Sequence, residues 1–389
     1  MRLVFWQNTI SPHLAPQWRA LCEAGYHVAV VALGDLTSRR RLMGWETPET
    51  GNAEVFIAPA ASTVEALVSR DPERTVHVLG GAWLSKVGRE VIRLCHQHRC
   101  RFGIMSEAAN GRGWKGAARR LRYVLERCTR GRSAGFVLAM GELGVRWFVQ
   151  CGYRASTVFP YAYTVEPRPP FSPLRPERDA RCVALISVGA LAPWKGHDVL
   201  LRALAQVADT RWRLALIGEG PMADRLARFA TSRVISARVA FSPFRPHEEV
   251  MRQIAASDLL VLPSRWDGWG AVVNEALMCG VPVVCTDRCG ARDLLTQAWR
   301  GEVVPAGSAA ALGSALTRWI AQGPTAREAS ERIAAWARCV DGSSMAAYLA
   351  AVLEHVYGDR ERPQPPWRGA EAADGTRSIR SSEALGRGG

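Results

Sequence analysis

Lysine is almost missing from this chain. Of 50 basic residues in 389, only Lys86, Lys115 and Lys195 are lysine, so arginine carries the net charge of +14. Such a bias follows codon composition more than function, and where the charge sits says more than its total. Long apolar runs are missing too. None reaches the roughly 18 residues that a helix needs to cross a bilayer, which excludes a helical span. The opening MRLVFWQNTISPH turns polar after six residues, too early for a secretory signal. Ten cysteines follow no framework spacing, which excludes a disulfide scaffold and suggests a reducing cytosol. There is no Asp-x-Asp motif of the kind that would hold a metal on a diphosphate.

What is present is an alternation of short apolar runs with amphipathic segments, the pattern of doubly wound parallel sheets. Strands are expected at Leu3–Gln7, His27–Leu33, Glu54–Ala58, Thr75–Leu79, Phe102–Ser106, Phe136–Met140 and Thr157–Tyr161. A helix is expected over Pro12–Ala24, with Ser11 as its cap and Pro12 at its first position. Residues 164–180 hold five prolines and read as a stiff linker between residues 1–163 and 181–342. Met345, Leu349, Leu353 and Val356 mark one apolar stripe on a helix over 343–358. Residues 359–389 show almost no apolar periodicity and are expected to be disordered.

The most informative stretch is LLVLPSRWDGWGAVVNEALMCGVPVVCT, Leu259 to Thr286. It reads as strand, loop, helix and strand, and the loop falls at the carboxyl end of a sheet, where open α/β sheets bind ligands. Asp267 lies in the loop beside Gly268 and Gly270, and Glu275 follows eight residues on. Carboxylates beside a helix start suit a ligand that is phosphorylated and rich in hydroxyls, such as a nucleotide sugar.

This stretch resembles the signature of the retaining glycosyltransferases of family four, whose fold is GT-B, two Rossmann-like domains facing a cleft. The usual pattern is Glu, seven residues, Glu, then a small-residue helix and a Pro-Val-Val strand. Here Asp267 stands at the first position, while Glu275 and Gly280-Val281-Pro282-Val283-Val284 agree. Gly189, Lys195 and Gly196 also match, but Ala190 replaces the usual arginine; GEGP at Gly218–Pro221 matches a turn before a helix. The resemblance implies an N-terminal acceptor domain, a C-terminal donor domain and a last helix that crosses back. It implies that Glu275 takes the nucleotide ribose, Asp267 the donor sugar and Lys195 the diphosphate. Gly189, Gly218, Phe244, Arg245, Gly268, Trp269, Gly270 and Ala271 would complete the donor site. Arg265 is expected to supply the positive charge missing at Ala190. No metal or cofactor is implied, since the UDP- or GDP-sugar is a substrate.

On the acceptor side, Ser11, His13, Gly80, Gly81, Glu107 and Asn110 follow carboxyl ends of strands in the first half. His13 and Glu107 can equally be ordinary residues of a first helical turn. The cluster Cys95-His96-Gln97-His98-Arg99-Cys100 is compact, but it has no second ligand pair and is not expected to hold a metal. From Arg99 to Arg132 ten basic residues face two acids, which implies an anionic partner: membrane lipid, polyprenyl phosphate or nucleic acid. No nucleic-acid recognition motif accompanies that charge. The expected function is transfer of a sugar to a glycan or lipid-linked acceptor in cell-surface polysaccharide synthesis, in the cytoplasm or on the inner membrane face. A non-catalytic nucleotide-sugar binder and a sugar-nucleotide epimerase remain alternatives.

Overall fold

In the computed structural model, which describes residues 1–42, 45–81, 83–167 and 182–369, two parallel sheets are built in succession. The first half runs β1 (Arg2–Gln7), α1 (Ala15–Glu23), β2 (His27–Ala32), α2 (Ser38–Leu42), β3 (Glu54–Ile57), α3 (Ala61–Ser69) and β4 (Thr75–Leu79). It continues α4 (Lys86–Gln97), β5 (Arg101–Ser106), α5 (Gly113–Thr129), β6 (Phe136–Met140), α6 (Gly141–Gln150) and β7 (Val158–Tyr161). The second half runs β8 (Val183–Val188), α7 (His197–Leu204), β9 (Trp212–Ile217), α8 (Ala223–Ser232), β10 (Val239–Ser242), α9 (His247–Ala255) and β11 (Leu259–Leu262). It ends with α10 (Val272–Met278), β12 (Val283–Thr286), β13 (Gly301–Val304), α11 (Ala309–Gln322), α12 (Arg327–Ala337) and α13 (Gly342–Tyr357).

The central strands are buried from end to end: the runs FVLAM of β6, LLVL of β11 and VVCT of β12 are covered along their whole length, so they need no polar side. Strand order is β3-β2-β1-β4-β5-β6-β7 in one sheet and β10-β9-β8-β11-β12-β13 in the other. All these strands are parallel, but the direction in which successive strands are added reverses between β1 and β4, and again between β8 and β11. Those two switch points open the crevices into which loops 8–14, 189–196 and 263–271 project.

Helix α13 returns to the first half. Gln17 Nε2 donates to the Met345 carbonyl at 3.2 Å, and the Tyr161 and Tyr348 rings stack with centroids 5.9 Å apart. One apolar cluster runs through Leu3, Phe5, Trp18 and Tyr161 to Ile186, Leu262, Trp269 and Leu349, so both halves share a core.

Three expectations change. Helix α1 starts at Ala15, not Pro12, and Ser11 does not cap it with its side chain. Instead the Ser11 carbonyl accepts from Leu14 and Ala15 N–H, forming a turn that carries His13. The tail is ordered through residue 369: Trp367 is buried in the shared core and Arg362 NH2 donates to the Val158 carbonyl at 2.6 Å. Trp367 and Arg362, with ion pairs from Arg360 to Glu354 and from Arg368 to Glu142, hold it without any periodicity. The rest of the expected disordered tail, 370–389, lies outside the described residues, as does the expected linker from residue 168 to 180.

Candidate active site

The site forms where the loops after β8 and β11 meet the first half. The chain leaving β8 turns through Gly189 and reaches Lys195, and Gly196 has φ +71. A Cβ at Gly196 would overlap the Pro263 carbonyl oxygen, so only glycine lets the Lys195 turn lie against the end of β11. This contact sets Lys195 beside the next loop. Lys195 Nζ donates to Asp267 Oδ2 at 2.7 Å, and both side chains are largely buried. Burial pulls the Lys195 pKa down, but the Asp267 carboxylate more than offsets it and the net shift is upward. The loop carrying Asp267 is itself held by backbone: Asp267 N–H donates to Arg288 O at 2.9 Å, and Ala291 N–H to Trp269 O at 2.8 Å.

Glu275, on α10, is buried and faces the first half. Its Oε1 lies 3.1 Å from His13 Nε2 and 3.9 Å from His247 Nδ1. The turn ahead of α1 therefore reaches across the crevice, and Thr164 fixes it by donating through both N–H and hydroxyl to the His13 carbonyl at 2.9 Å.

Glu107 is the second side chain from the first half. The Tyr163 hydroxyl donates to Glu107 Oε1 at 3.0 Å, and a Cβ at Gly268 would overlap Glu107 Oε2. Gly268 is thus needed for the carboxylate to sit flat on the Asp267 loop. Burial raises the Glu107 pKa, and the like charge of Asp267 adds to it; Tyr163 and Lys195 oppose. A polar relay then ties the halves together. Trp269 Nε1 donates to Asn274 Oδ1 at 2.9 Å, and Asn274 Nδ2 donates to the Tyr163 carbonyl at 2.8 Å.

A basic side chain, a carboxylate beside it, and a histidine–carboxylate contact across a crevice suit a ligand that is anionic at one end and hydroxylated at the other. The family model for glycosyl transferases group 1 matches residues 177–336. Over those residues the chain is similar to that family. Within the curated proteins, the chain is 31% identical over 187 residues to D-inositol 3-phosphate glycosyltransferase of Mycolicibacterium smegmatis, covering 46% of this chain and 42% of that protein. It is 30% identical over 191 residues to the GDP-mannose-dependent alpha-(1-6)-phosphatidylinositol monomannoside mannosyltransferase of the same organism, covering 46% and 49%. The chain spans a quarter to about half of the length of the curated relatives it matches.

Solved structures extend the likeness to the whole fold. Anabaena HepE in complex with UDP superposes with TM-score 0.69 at 21% identity, covering 91% of this chain and 100% of that one. The lipopolysaccharide outer core galactosyltransferase WaaB, in its apo form, gives 0.66 at 16%, covering 91% and 99%. The fold is GT-B, as the resemblance implied.

Within the group 1 domain, the expected donor residues separate into two groups. Lys195, Asp267, Gly189, Gly268, Trp269 and Gly270 come together around the β8 and β11 loops, and Glu275 follows on α10 against His13. Ala271 is the residue that opens α10. Gly218 lies next to Gly189, its N–H donating to Ser242 O at 2.9 Å. Phe244 and Arg245 lie farther along, after β10, where Arg245 Nε donates to Ser242 Oγ at 3.0 Å.

Arg265, expected to make up for the arginine missing at Ala190, is engaged on the α7 side in this structure. Its guanidinium holds Asp198 through two bonds of 2.7 and 2.8 Å and the Pro193 carbonyl at 2.8 Å. The cause is local: Arg265 N–H donates to the Trp194 carbonyl at 2.8 Å, which turns the side chain toward α7. Gly80 and Gly81 pack on Gln7 and Asn8 at the rim of the first crevice.

Sequence reasoning missed Tyr163, Asn274, His247 and His197. Asn274 had a signal, since it sits inside the motif next to Glu275; Tyr163 had none, being one more aromatic at the edge of a proline-rich stretch. The cysteine–histidine cluster is also rearranged. Cys95 and Cys100 are joined by His77 of β4, with their ligand-type atoms within 4.8 Å of one another. The Trp6 indole N–H donates to His77 Nδ1 at 3.2 Å, which leaves the imidazole proton on Nε2 and removes the lone pair a metal would need.

Proposed function

We propose that the chain is a retaining glycosyltransferase that moves a sugar from a UDP- or GDP-sugar to a glycan or lipid-linked acceptor. The observation that carries this reading is the Lys195–Asp267 pair in the group 1 domain, at the switch point of its sheet and under His13 and Glu107 of the other domain. In transfer, the bond from the sugar C1 to the diphosphate oxygen breaks and its electron pair leaves with the diphosphate, while the acceptor hydroxyl oxygen bonds to C1 on the same face and its proton passes to the departing diphosphate oxygen. Lys195 offsets the charge that grows there, so its donation strengthens as the bond lengthens. Until a donor arrives, Asp267 keeps that ammonium neutralised; a bound diphosphate competes for Lys195 and frees Asp267 for a sugar hydroxyl. Glu275 takes the ribose, and His13 orients it across the crevice. Glu107 lies on the acceptor side.

The donor class draws support from relatives whose names include UDP and GDP-mannose. The reading extends to cell-surface polysaccharide synthesis at the cytoplasmic membrane face, and the exposed face of α5 supports the membrane part. Trp114, Leu121 and Leu125 are 78%, 60% and 54% exposed on a helix rich in arginine. The described residues contain no helix long and apolar enough to cross a membrane. One observation favours a second reading, a nucleotide-sugar binder that does not transfer: Ala190 replaces a cation and Arg265 is held by Asp198.

A thermal-shift panel of nucleotides and nucleotide sugars tests the donor, because a ligand of the native state raises apparent stability. A UDP- or GDP-sugar is expected to raise Tm and to be consumed when acceptor is added. If nothing in the panel shifts Tm, the reading is wrong; if the donor binds but is neither hydrolysed nor transferred, the second reading holds. An inverted anomeric centre in the product, read by NMR, would remove the word retaining.

A further inference from the structure

A cavity of about 320 Å³ opens between the domains beside the proposed reaction centre, and four arginines line it: Arg112, Arg120, Arg146 and Arg288. No acidic residue lines it. Arg146 Nε lies 3.4 Å from Glu142 and Arg288 Nε 3.9 Å from Asp287, whereas Arg112 and Arg120 have no carboxylate partner among the described residues. Guanidinium groups that converge on one cavity with no carboxylate in its wall are what an anion would satisfy. The position is also specific. Both domains contribute to its wall, with Ala108 one residue past Glu107 and Trp266 one residue before Asp267, although neither carboxylate lines it.

We infer that this pocket holds the phosphoryl group of the acceptor, a phosphorylated saccharide or polyol. The inference rests on the glycosyltransferase reading for the word acceptor, but the pocket can be tested without it. Four guanidinium groups exceed what one carboxylate would need, and they match the several oxygens of a phosphate through paired N–H bonds. The Trp147 and Trp266 rings give the remaining wall an apolar surface for a sugar face, and the volume, near the low end of about 300–1,000 Å³ for ligand pockets, fits a monosaccharide.

The test titrates the full chain with glucose 6-phosphate, glucose and inorganic phosphate, reading tryptophan fluorescence and calorimetry, with UDP and GDP thermal shifts in parallel. Glucose 6-phosphate is expected to bind about tenfold or more tightly than either of the others. Arg120→Ala combined with Arg288→Ala is expected to weaken it by about tenfold or more while the nucleotide shifts stay in place. Arg146→Ala provides a second variant whose largely exposed side chain does not touch the core. Equal binding of glucose or of inorganic phosphate overturns the proposal, as does undiminished affinity in both variants. Binding of glucose 6-phosphate with no response to any nucleotide sinks the glycosyltransferase reading and leaves the pocket standing. Vesicles containing phosphatidylinositol are then added as competitor. Displacement of glucose 6-phosphate assigns the phosphoryl group to a lipid headgroup, and no displacement assigns it to a soluble sugar phosphate, each within the proposal.

Discussion

Lys195 and Asp267 hold each other at 2.7 Å in a largely buried setting, so neither can be removed without leaving the other uncompensated. Lys195→Ala is expected to lower unfolding free energy by about 3 kcal/mol, because a lone Asp267 carboxylate stays in low dielectric. Adding Asp267→Asn should recover most of that loss, since the charge is gone, yet nucleotide affinity should stay about tenfold or more below wild type in both variants. Denaturant titration and calorimetry with UDP or GDP measure the two effects separately; a double variant that binds nucleotide normally would show that Lys195 is structural only. His197, two residues on, presents the opposite case. It is buried with both ring nitrogens unpartnered, and burial followed by the nearby Lys195 charge lowers its pKa to about 4. The sign follows. Above the ordinary value of 6.5 the ring is neutral in both states and stability is unaffected. As pH falls below that, the unfolded chain binds a proton that the folded one refuses, and stability is lost down to about pH 4. The full loss is roughly 3 kcal/mol. His197→Leu should flatten that part of the pH profile in urea unfolding between pH 7 and pH 5, and an unchanged slope in the variant would assign acid sensitivity to another group.

At the scale of elements, the β11–loop–α10–β12 unit was legible almost residue by residue, because a buried strand, two loop glycines, a carboxylate on a helix and a β-branched strand are all local signals. The direction in which Arg265 points was not, since a bond from its own N–H to the Trp194 carbonyl decides it, and that partner comes from a different loop. Helix α3 was not legible either, since only Val64, Leu67 and Val68 are buried in its nine residues, a weak stripe. His13 and Glu107 were visible as residues that follow strands, but not as partners of Glu275 and Gly268, because sequence does not say how far apart two sheets lie. Gly196 shows how an element-level contact sets the chemistry. At φ +71 and pressed on the Pro263 carbonyl, Gly196→Ala must both adopt a left-handed backbone and move the end of β11. A loss of about 2 kcal/mol or more is expected. Since that turn carries Lys195, nucleotide affinity should fall with it, whereas Gly307→Ala, also at positive φ but with open space around it, should cost only stability. Equal nucleotide affinity in the Gly196 variant would separate the turn from the donor site.

For the whole molecule, the shared core and the relay through Trp269, Asn274 and Tyr163 mean that the two domains meet through apolar packing as well as through the site. The face that remains uncovered is on the first domain. On α5, Trp114, Ala118, Leu121 and Leu125 follow helical spacing and all are exposed, while Tyr123 and Glu126 on the opposite side are buried. An apolar stripe edged by Arg119 and Arg122 is the pattern of a helix that lies in a membrane interface, with arginine attracted to anionic headgroups and the tryptophan ring at the boundary. Each basic residue near such a surface contributes about 1 kcal/mol, an attraction that salt screens within a Debye length. Flotation with phosphatidylglycerol vesicles should therefore recover the chain at low salt and lose most of it near 1 M, where the screening length is about 3 Å. Trp114→Asp together with Leu121→Asp should abolish flotation at any salt while leaving the fold and nucleotide binding intact, because neither side chain packs on the domain. Equal recovery on phosphatidylcholine and phosphatidylglycerol, or flotation that survives both substitutions, would show that α5 does not dock, and an exposed apolar stripe would then call for a protein partner instead.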